Sequence, residues 1–336
     1  MTEPIHFDLD AVRRRLIECG ELAKGDPLEA KLLSGGRSNL TYTLHSSDRE
    51  LVLRRPPLGG VLATAHEMNR EVRVISGLAG SDIPVPRVIL RPDDSDEVSY
   101  YVMTKVEGIM LRTDEDFASV ALEDRVPISM RHIDVLVSLH IGDPEAVGLS
   151  DFGRPDGFAE RQVRRWRKQL DSVRSRDIPD LDTLGDRLAS RIPDETYNTL
   201  VQGDFRFDNM LVTFEPKPDI TGVLGWEMST YGDPFTDLGF VHLFWEGWRD
   251  ITGPIAGTPT RLDGYPPFSD LLEAYVAKTG FDVSQLDWYN AFGFYKLAVI
   301  NEGIYARYVS GKTVGEGFEG VGEMVAPLAA RALQDF

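Results

Sequence analysis

From Leu40 to Leu44 the segment "NLTYTL" alternates, with Leu40, Tyr42 and Leu44 on one side and polar residues on the other. After the charged tip "HSSDRE", the run "LVLRR" extends the pattern, so the period of two predicts a hairpin of two strands. The period then lengthens. In "TAHEMNREVRVISGLAG", Met68, Val72 and Ile75 recur at helical spacing ahead of glycines suited to a C-terminal cap. A further strand, "SYYVMTKV", follows the turn-rich "RPDDSDE".

Beyond about residue 107 long helical patterns take over. "ISMRHIDVLVSLHIG" places Ile133, Leu136, Val137 and His140 on one face, and "YNAFGFYKLAVINEGIYARYVSG" places Leu297, Ile300, Ile304 and Tyr308 on another. Between them only Leu200 to Gly225 reads as short strands. A chain of 336 residues exceeds the usual single core. The expected fold class is therefore α+β: a small β-rich lobe over residues 1–106 and a larger, mainly helical lobe over 107–336, with the boundary near Val106 to Gly108. "FEPKPD", "RPDDSD" and "ITGPIAGTPTRLDGYPP" read as turn or loop insertions.

Charge narrows the function classes. The formal net charge is −18, which repels nucleic-acid phosphates and anionic lipid, so neither nucleic acid nor membrane is an expected partner. One basic run departs from this, "RQVRRWRKQL" at Arg161 to Leu170. It reads either as a solvated helix face with Val163, Trp166 and Leu170 turned inward, or as a cluster serving an anionic small molecule. Cys19 is the single cysteine, the opening "MTEPIHFDLD" carries no leader pattern, and no long apolar run follows. The expectation is a cytoplasmic protein.

The chemistry concentrates in "VQGDFRFDNML". Asp204 follows a β-type run and Gly203, and Asn209 lies five positions on. A loop after a strand can aim a carboxylate at a hydroxyl while an amide five residues later reaches a metal that bridges phosphates. In isolation the pair also reads as two backbone caps. Upstream, "LLSGGRSNLTY" sets Gly35 and Gly36 between two β-like segments, either to cover phosphates or as a plain hairpin turn. Arg54 on the next strand and Glu71 on the next helix stand in the order of a phosphate-orienting ion pair. The histidines show no zinc spacing, and there is neither a nucleophile elbow nor a Walker A pattern. Trp226, Trp245, Trp248, Trp288, Phe240 and Phe244 read as core or as the lining of an acceptor pocket.

These residues and their order resemble the aminoglycoside phosphotransferase family, of bilobal protein-kinase-like fold. The likeness is greater to the branch found alone in actinobacteria or fused to acyl-CoA dehydrogenases. It is carried by "LSGGRSNLTY", "LVLRRPP", "AHEMNREVRVI", "IPVPRV", "YYVMTKVEG", "SLHIGDPEAVGL", "RQVRRW", "GDFRFDNML" and "GWEMSTYGDPFTDLG", across roughly residues 33 to 239. The resemblance implies Asp204 as catalytic base and Asn209 as a Mg²⁺ ligand. It implies nucleotide contacts from Gly35, Gly36, Arg37 and Ser38, from Arg54 with its partner Glu71, and from a hinge including Met103, Thr104 and Lys105. Asp237 would brace the catalytic loop. The implied cofactors are ATP, with GTP not excluded, and Mg²⁺; the implied partner is a small hydroxylated acceptor.

Three positions depart from the family pattern. Gln202 replaces a histidine but keeps hydrogen-bonding capacity. Arg54 replaces a lysine and keeps the charge. Gly225 replaces the aspartate of an "LDWE" motif, which binds Mg²⁺, and glycine supplies no ligand. Asp208 or Glu227 are the possible substitutes; strand alternation favours Glu227. The expectation is an ATP-dependent O-phosphotransferase acting on a hydroxyacyl-CoA or related compound rather than an aminoglycoside. The alternative is an impaired relative that binds nucleotide or an acyl ligand. Sequence leaves the oligomeric state unknown.

Overall fold

The computed structural model describes residues 7–33, 39–47, 49–56, 61–93, 99–194, 196–251, 253, 257–311 and 318–336, with the backbone alone over 61–67. Gly35, Gly36, Arg37 and Ser38 lie outside the described residues. The chain divides into two compact units, Met1–Glu107 with Thr221–Glu227, and Gly108–Ile220 with Met228–Phe336. A short segment of the later chain thus groups with the N-terminal unit.

The first unit runs α1 (Leu9–Glu18), β1 (Glu29–Leu32), β2 (Leu40–His45), β3 (Glu50–Arg55), α2 (Val61–Leu78), β4 (Val88–Leu90) and β5 (Tyr101–Thr104). Its antiparallel sheet has the order β1-β2-β3-β5-β4. The expected hairpin is β2–β3, registered Leu40 to Arg55 through His45 to Glu50. Alternation sorts the side chains. Tyr42, Leu44, Leu51, Leu53 and Val102 form a core with Val12 and Leu16 of α1. The β-like segment ahead of Gly35 is β1, whereas neither α1, capped by Asp8 at Ala11 N (2.9 Å), nor the short strand β4 figured in the sequence reading. Met68, Val72 and Ile75 of α2 are buried, as their spacing predicts.

The second unit contains α3 (Asp114–Ser119), α4 (Leu122–Ile141), α5 (Phe158–Val173), α6 (Pro179–Ser190), β6 (Thr199–Val201), β7 (Met210–Thr213), β8 (Asp219–Val223), β9 (Thr230–Gly232), α7 (Phe235–His242), α8 (Phe268–Thr279), α9 (Leu286–Val309) and α10 (Val325–Asp335). The division between units falls inside β8. β6 pairs antiparallel with β9, and β7 and β8 form a separate two-stranded sheet. Ile133, Leu136, Val137 and His140 face inward from α4, and Val163, Trp166 and Leu170 from α5. The basic run is therefore largely a helix surface: Arg161 donates to the Asp156 and Arg154 carbonyls and Arg167 pairs with Asp186 at 2.6 Å.

α9 corrects the sequence reading. A single face through Leu297, Ile300, Ile304 and Tyr308 was expected, yet from Leu286 to Gly303 the helix is buried on nearly all sides and Tyr308 is exposed. α5, α6, α7 and α10 all pack on it. A helix in the middle of a bundle needs no polar face, so a one-face pattern misreads it.

Candidate active site

In the N-terminal unit, pairing places Arg54 opposite Tyr101 on neighbouring strands, and α2 brings Glu71 to the same point. The Arg54 guanidinium pairs with the Glu71 carboxylate, which is fully buried. Burial pushes the Glu71 carboxyl up, to about 7, against the pull of Arg54. Burial also works against the Arg54 charge, but Glu71, Tyr101 and Glu227 outweigh it and the guanidinium is held above its ordinary range. Arg54 Nε and Glu71 Oε2 have no hydrogen-bond partner among the described residues. Such atoms are usually satisfied by a ligand or water.

Gly225 and Glu227 belong to this same unit. Gly225 has φ +70°, in the left-handed region. Trp226 anchors the turn by donating from Nε1 to the Val223 carbonyl at 2.9 Å. Glu227 Oε2 lies 4.0 Å from Arg54. Of the expected hinge, Met103 is buried, whereas Thr104 is engaged by Arg87 through both its N–H and its hydroxyl, and the Lys105 side chain pairs with Glu50.

In the second unit the loop from Gln202 to Asn209 joins β6 to β7 and ends in a 3₁₀ turn at Phe207–Asn209. Asp204 is partly exposed, and its carboxylate accepts from Asn209 Nδ2 at 2.8 Å and lies 3.1 Å from Arg206 Nε. Asn209 Nδ2 also donates to the Asp204 carbonyl at 2.9 Å. Five residues of separation thus close into one ring of contacts. Arg206 reaches on to Asp208 at 3.0 Å and lies over the Phe244 ring. Burial opposes its charge, but Asp204 and Asp208 raise its pKa.

Two anchors hold this loop from behind. Asp237 of α7 is fully buried and accepts the N–H groups of Gln202 and Gly203, each at 2.7 Å. Gln202, where the family pattern has histidine, accepts the Asp204 N–H on its side-chain oxygen at 2.7 Å. Gly203 has φ +88°, and a Cβ there would lie 2.6 Å from the Met228 carbonyl oxygen, so glycine is required twice over. Beside the loop His132 is buried against Phe205, Phe207 and Trp245 with both ring nitrogens unpartnered. Burial pushes its pKa down to about 3. A small pocket here is lined by Leu111, Arg112, His132, Arg206, Asp208 and Trp245 among others.

The six aromatics considered as a pocket lining are all buried, so core packing describes them, with Phe244 and Trp245 also reaching the pocket wall. Sequence reasoning missed the roles of Arg206 and of Lys296, whose ammonium touches the Gly203 carbonyl. The available signal for Lys296 was a lone lysine inside the apolar run "FGFYKLAVI".

A strand–loop–strand built this way, in a chain whose N-terminal sheet carries a buried strand–helix ion pair, belongs to the protein-kinase-like class of phosphotransferase folds. The chain is a member of the phosphotransferase enzyme family, whose profile matches residues 29–288. Over 342 residues it is 32% identical to acyl-CoA dehydrogenase family member 11 of Gallus gallus, covering 98% of this chain and 43% of that protein. The chain thus spans under half the length of the curated relatives it matches. A crystal structure from Ralstonia eutropha JMP134, named for the aminoglycoside phosphotransferases, superposes with a TM-score of 0.83 at 29% identity and covers 98% of both chains. The APH(4)-Ia ternary complex with AMP-PNP and hygromycin B shares the fold at a TM-score of 0.61, 14% identity and coverage of 97% of this chain and 98% of that one.

Proposed function

We propose that the chain transfers the terminal phosphoryl group of a nucleoside triphosphate, ATP or GTP, to the hydroxyl of a small acceptor. The carrying observation is the Asp204 carboxylate, partly exposed and fixed by Asn209 and Arg206. In this reading the acceptor oxygen attacks the γ-phosphorus, the bond to the β–γ bridging oxygen breaks, and the hydroxyl proton passes to Asp204. The nucleoside diphosphate leaves. Arg54, held by Glu71, is the cation we assign to the phosphates. We assign the reading of the base edge to the chain around Met103 and Lys105.

Mg²⁺ would neutralise charge on the transferring group, and two features bear on whether this chain can hold it. Asn209 spends its amide nitrogen on Asp204, which leaves Oδ1 without a donor among the described residues, an arrangement suited to a cation. Against this, Gly225 offers no side-chain ligand, and among the described residues no group of three or more His, Cys, Asp or Glu is placed to hold a metal. The donor set is incomplete. This supports a second reading, in which the chain binds nucleotide or an acyl ligand and turns over poorly.

For the acceptor we favour a hydroxyacyl-CoA or related hydroxy compound over an aminoglycoside, since a relative at 32% identity is named for the acyl-CoA dehydrogenases. Isothermal titration of ATP with and without Mg²⁺, run beside a phosphate-transfer screen of hydroxylated acceptors, decides between the readings. Mg²⁺-enhanced binding with transfer supports the first; metal-independent binding with no transfer to any acceptor overturns it. Gly225→Asp restores the missing ligand at a left-handed position that Asp tolerates better than most side chains. The expected outcome is Mg²⁺-dependent turnover raised by about a hundredfold, the scale of one lost transition-state donor.

A further inference from the structure

The peptide that carries Asp204 is held at both edges. Its N–H donates to Gln202 Oε1. Its carbonyl, that of Gly203, accepts from the ammonium of Lys296 in the middle of α9. Lys296 is 7% exposed, and its nitrogen lies 4.1 Å from the centre of the Phe240 ring and 5.6 Å from that of Trp166. Two aromatic faces thus stand in for part of its lost hydration. A lysine buried this deeply is rare unless something engages its charge, because removing an ammonium from water is costly.

The helix crossing explains how Lys296 reaches the loop. A Cβ on Gly239 of α7 would lie 2.3 Å from the Tyr289 carbonyl oxygen of α9, and one on Gly293 of α9 would lie 3.1 Å from the Gly239 carbonyl oxygen. Two glycines therefore let the helices touch backbone to backbone. That contact brings Asp237 and Lys296 to opposite sides of Gly203. Gly203, at φ +88°, is the hinge-like residue of the loop, and these two side chains fix its two peptide planes.

We propose that Lys296 is a positioning residue of the phosphotransfer site, holding the Gly203 carbonyl so that the Asp204 carboxylate keeps its aim. It acts through the peptide and touches no reacting atom. The charged groups around it are Asp204 and Arg206 of the loop, Asp237 of α7 and Arg165 of α5. Burial brings the ammonium down to about 8 against the pull of the two carboxylates, so the latch is charged at neutral pH and weakens in mild alkali.

The test uses Lys296→Met and Lys296→Arg in the full chain, with amide hydrogen exchange over residues 202–210 and, resting on the phosphotransfer reading, steady-state kinetics. Loss of one charged hydrogen bond should speed loop exchange about tenfold in Lys296→Met, with Lys296→Arg restoring most of the protection. kcat should fall by about the same factor while the nucleotide KM stays within about twofold. A folded Lys296→Met protein with parental loop exchange overturns the proposal. Should that variant not fold, exchange in the unaltered protein between about pH 7 and 9.5, corrected for intrinsic rates, decides: loop protection must fall, and unchanged protection overturns the idea. If the unaltered chain transfers phosphate to no acceptor, the phosphotransfer reading fails while the exchange result still judges Lys296.

Discussion

Asp204 is a loop side chain with partial exposure, whereas Asp237 is fully buried with two backbone donors, and the two acids should respond differently to substitution. Asp204→Ala should abolish transfer and leave the melting temperature within a few degrees, because little packing is lost. Turnover near the parental rate would remove Asp204 from the reaction. His132 supports a separate prediction. Its folded pKa, about 3, lies below the unfolded value near 6.5, so the unfolded chain binds the extra proton first as pH falls. The stability this residue leaves intact above pH 6.5 is lost between about pH 6.5 and 3. His132→Phe keeps the aromatic stack, gives up no protein hydrogen bond, and should be more stable than the parent by about 2 kcal/mol at pH 5 relative to pH 7. Urea denaturation at the two pH values measures it; an equal difference at both would show that His132 does not titrate on unfolding.

Among the elements, the α7–α9 crossing carries Asp237 and Lys296, which hold the Gly203 peptides of the Asp204 loop. Gly239→Ala places a methyl against the Tyr289 backbone, where no side-chain rotation can relieve it. The expected cost is about 1–3 kcal/mol by denaturant unfolding, accompanied by faster exchange over residues 202–210. A variant as stable as the parent would show that the helices separate freely. The strand and helix patterns of the N-terminal unit were legible because alternation and the helical repeat each expose one buried face, as at Tyr42 and Leu44 or Met68 and Val72. The same logic failed on α9. A helix packed on several sides has no polar stripe to announce its orientation, and α1 was passed over because only Val12 and Leu16 commit it to the core.

At the scale of the whole molecule, the proposed nucleotide binding requires a chain of net charge −18 to collect its cations locally, and Arg54 is the cation that the proposal assigns to phosphate. Nucleotide at a hundredfold excess over its Kd should add about 2.7 kcal/mol to the stability of the state that binds it. Differential scanning of the chain with ATP, and of Arg54→Met beside it, checks this; an equal shift in both would take Arg54 out of the nucleotide site. Sequence by itself determined the fold class, the order of strand arginine, helix glutamate and loop aspartate, and that position 225 carries no side-chain ligand, since these are local in the chain or fixed by residue type. Only the tertiary structure decided what holds the loop. Asp237 lies 34 residues from Gly203 and Lys296 lies 93 away, and a hydrogen bond between groups so far apart leaves no periodicity to read. It exists because two glycines let two helix backbones meet.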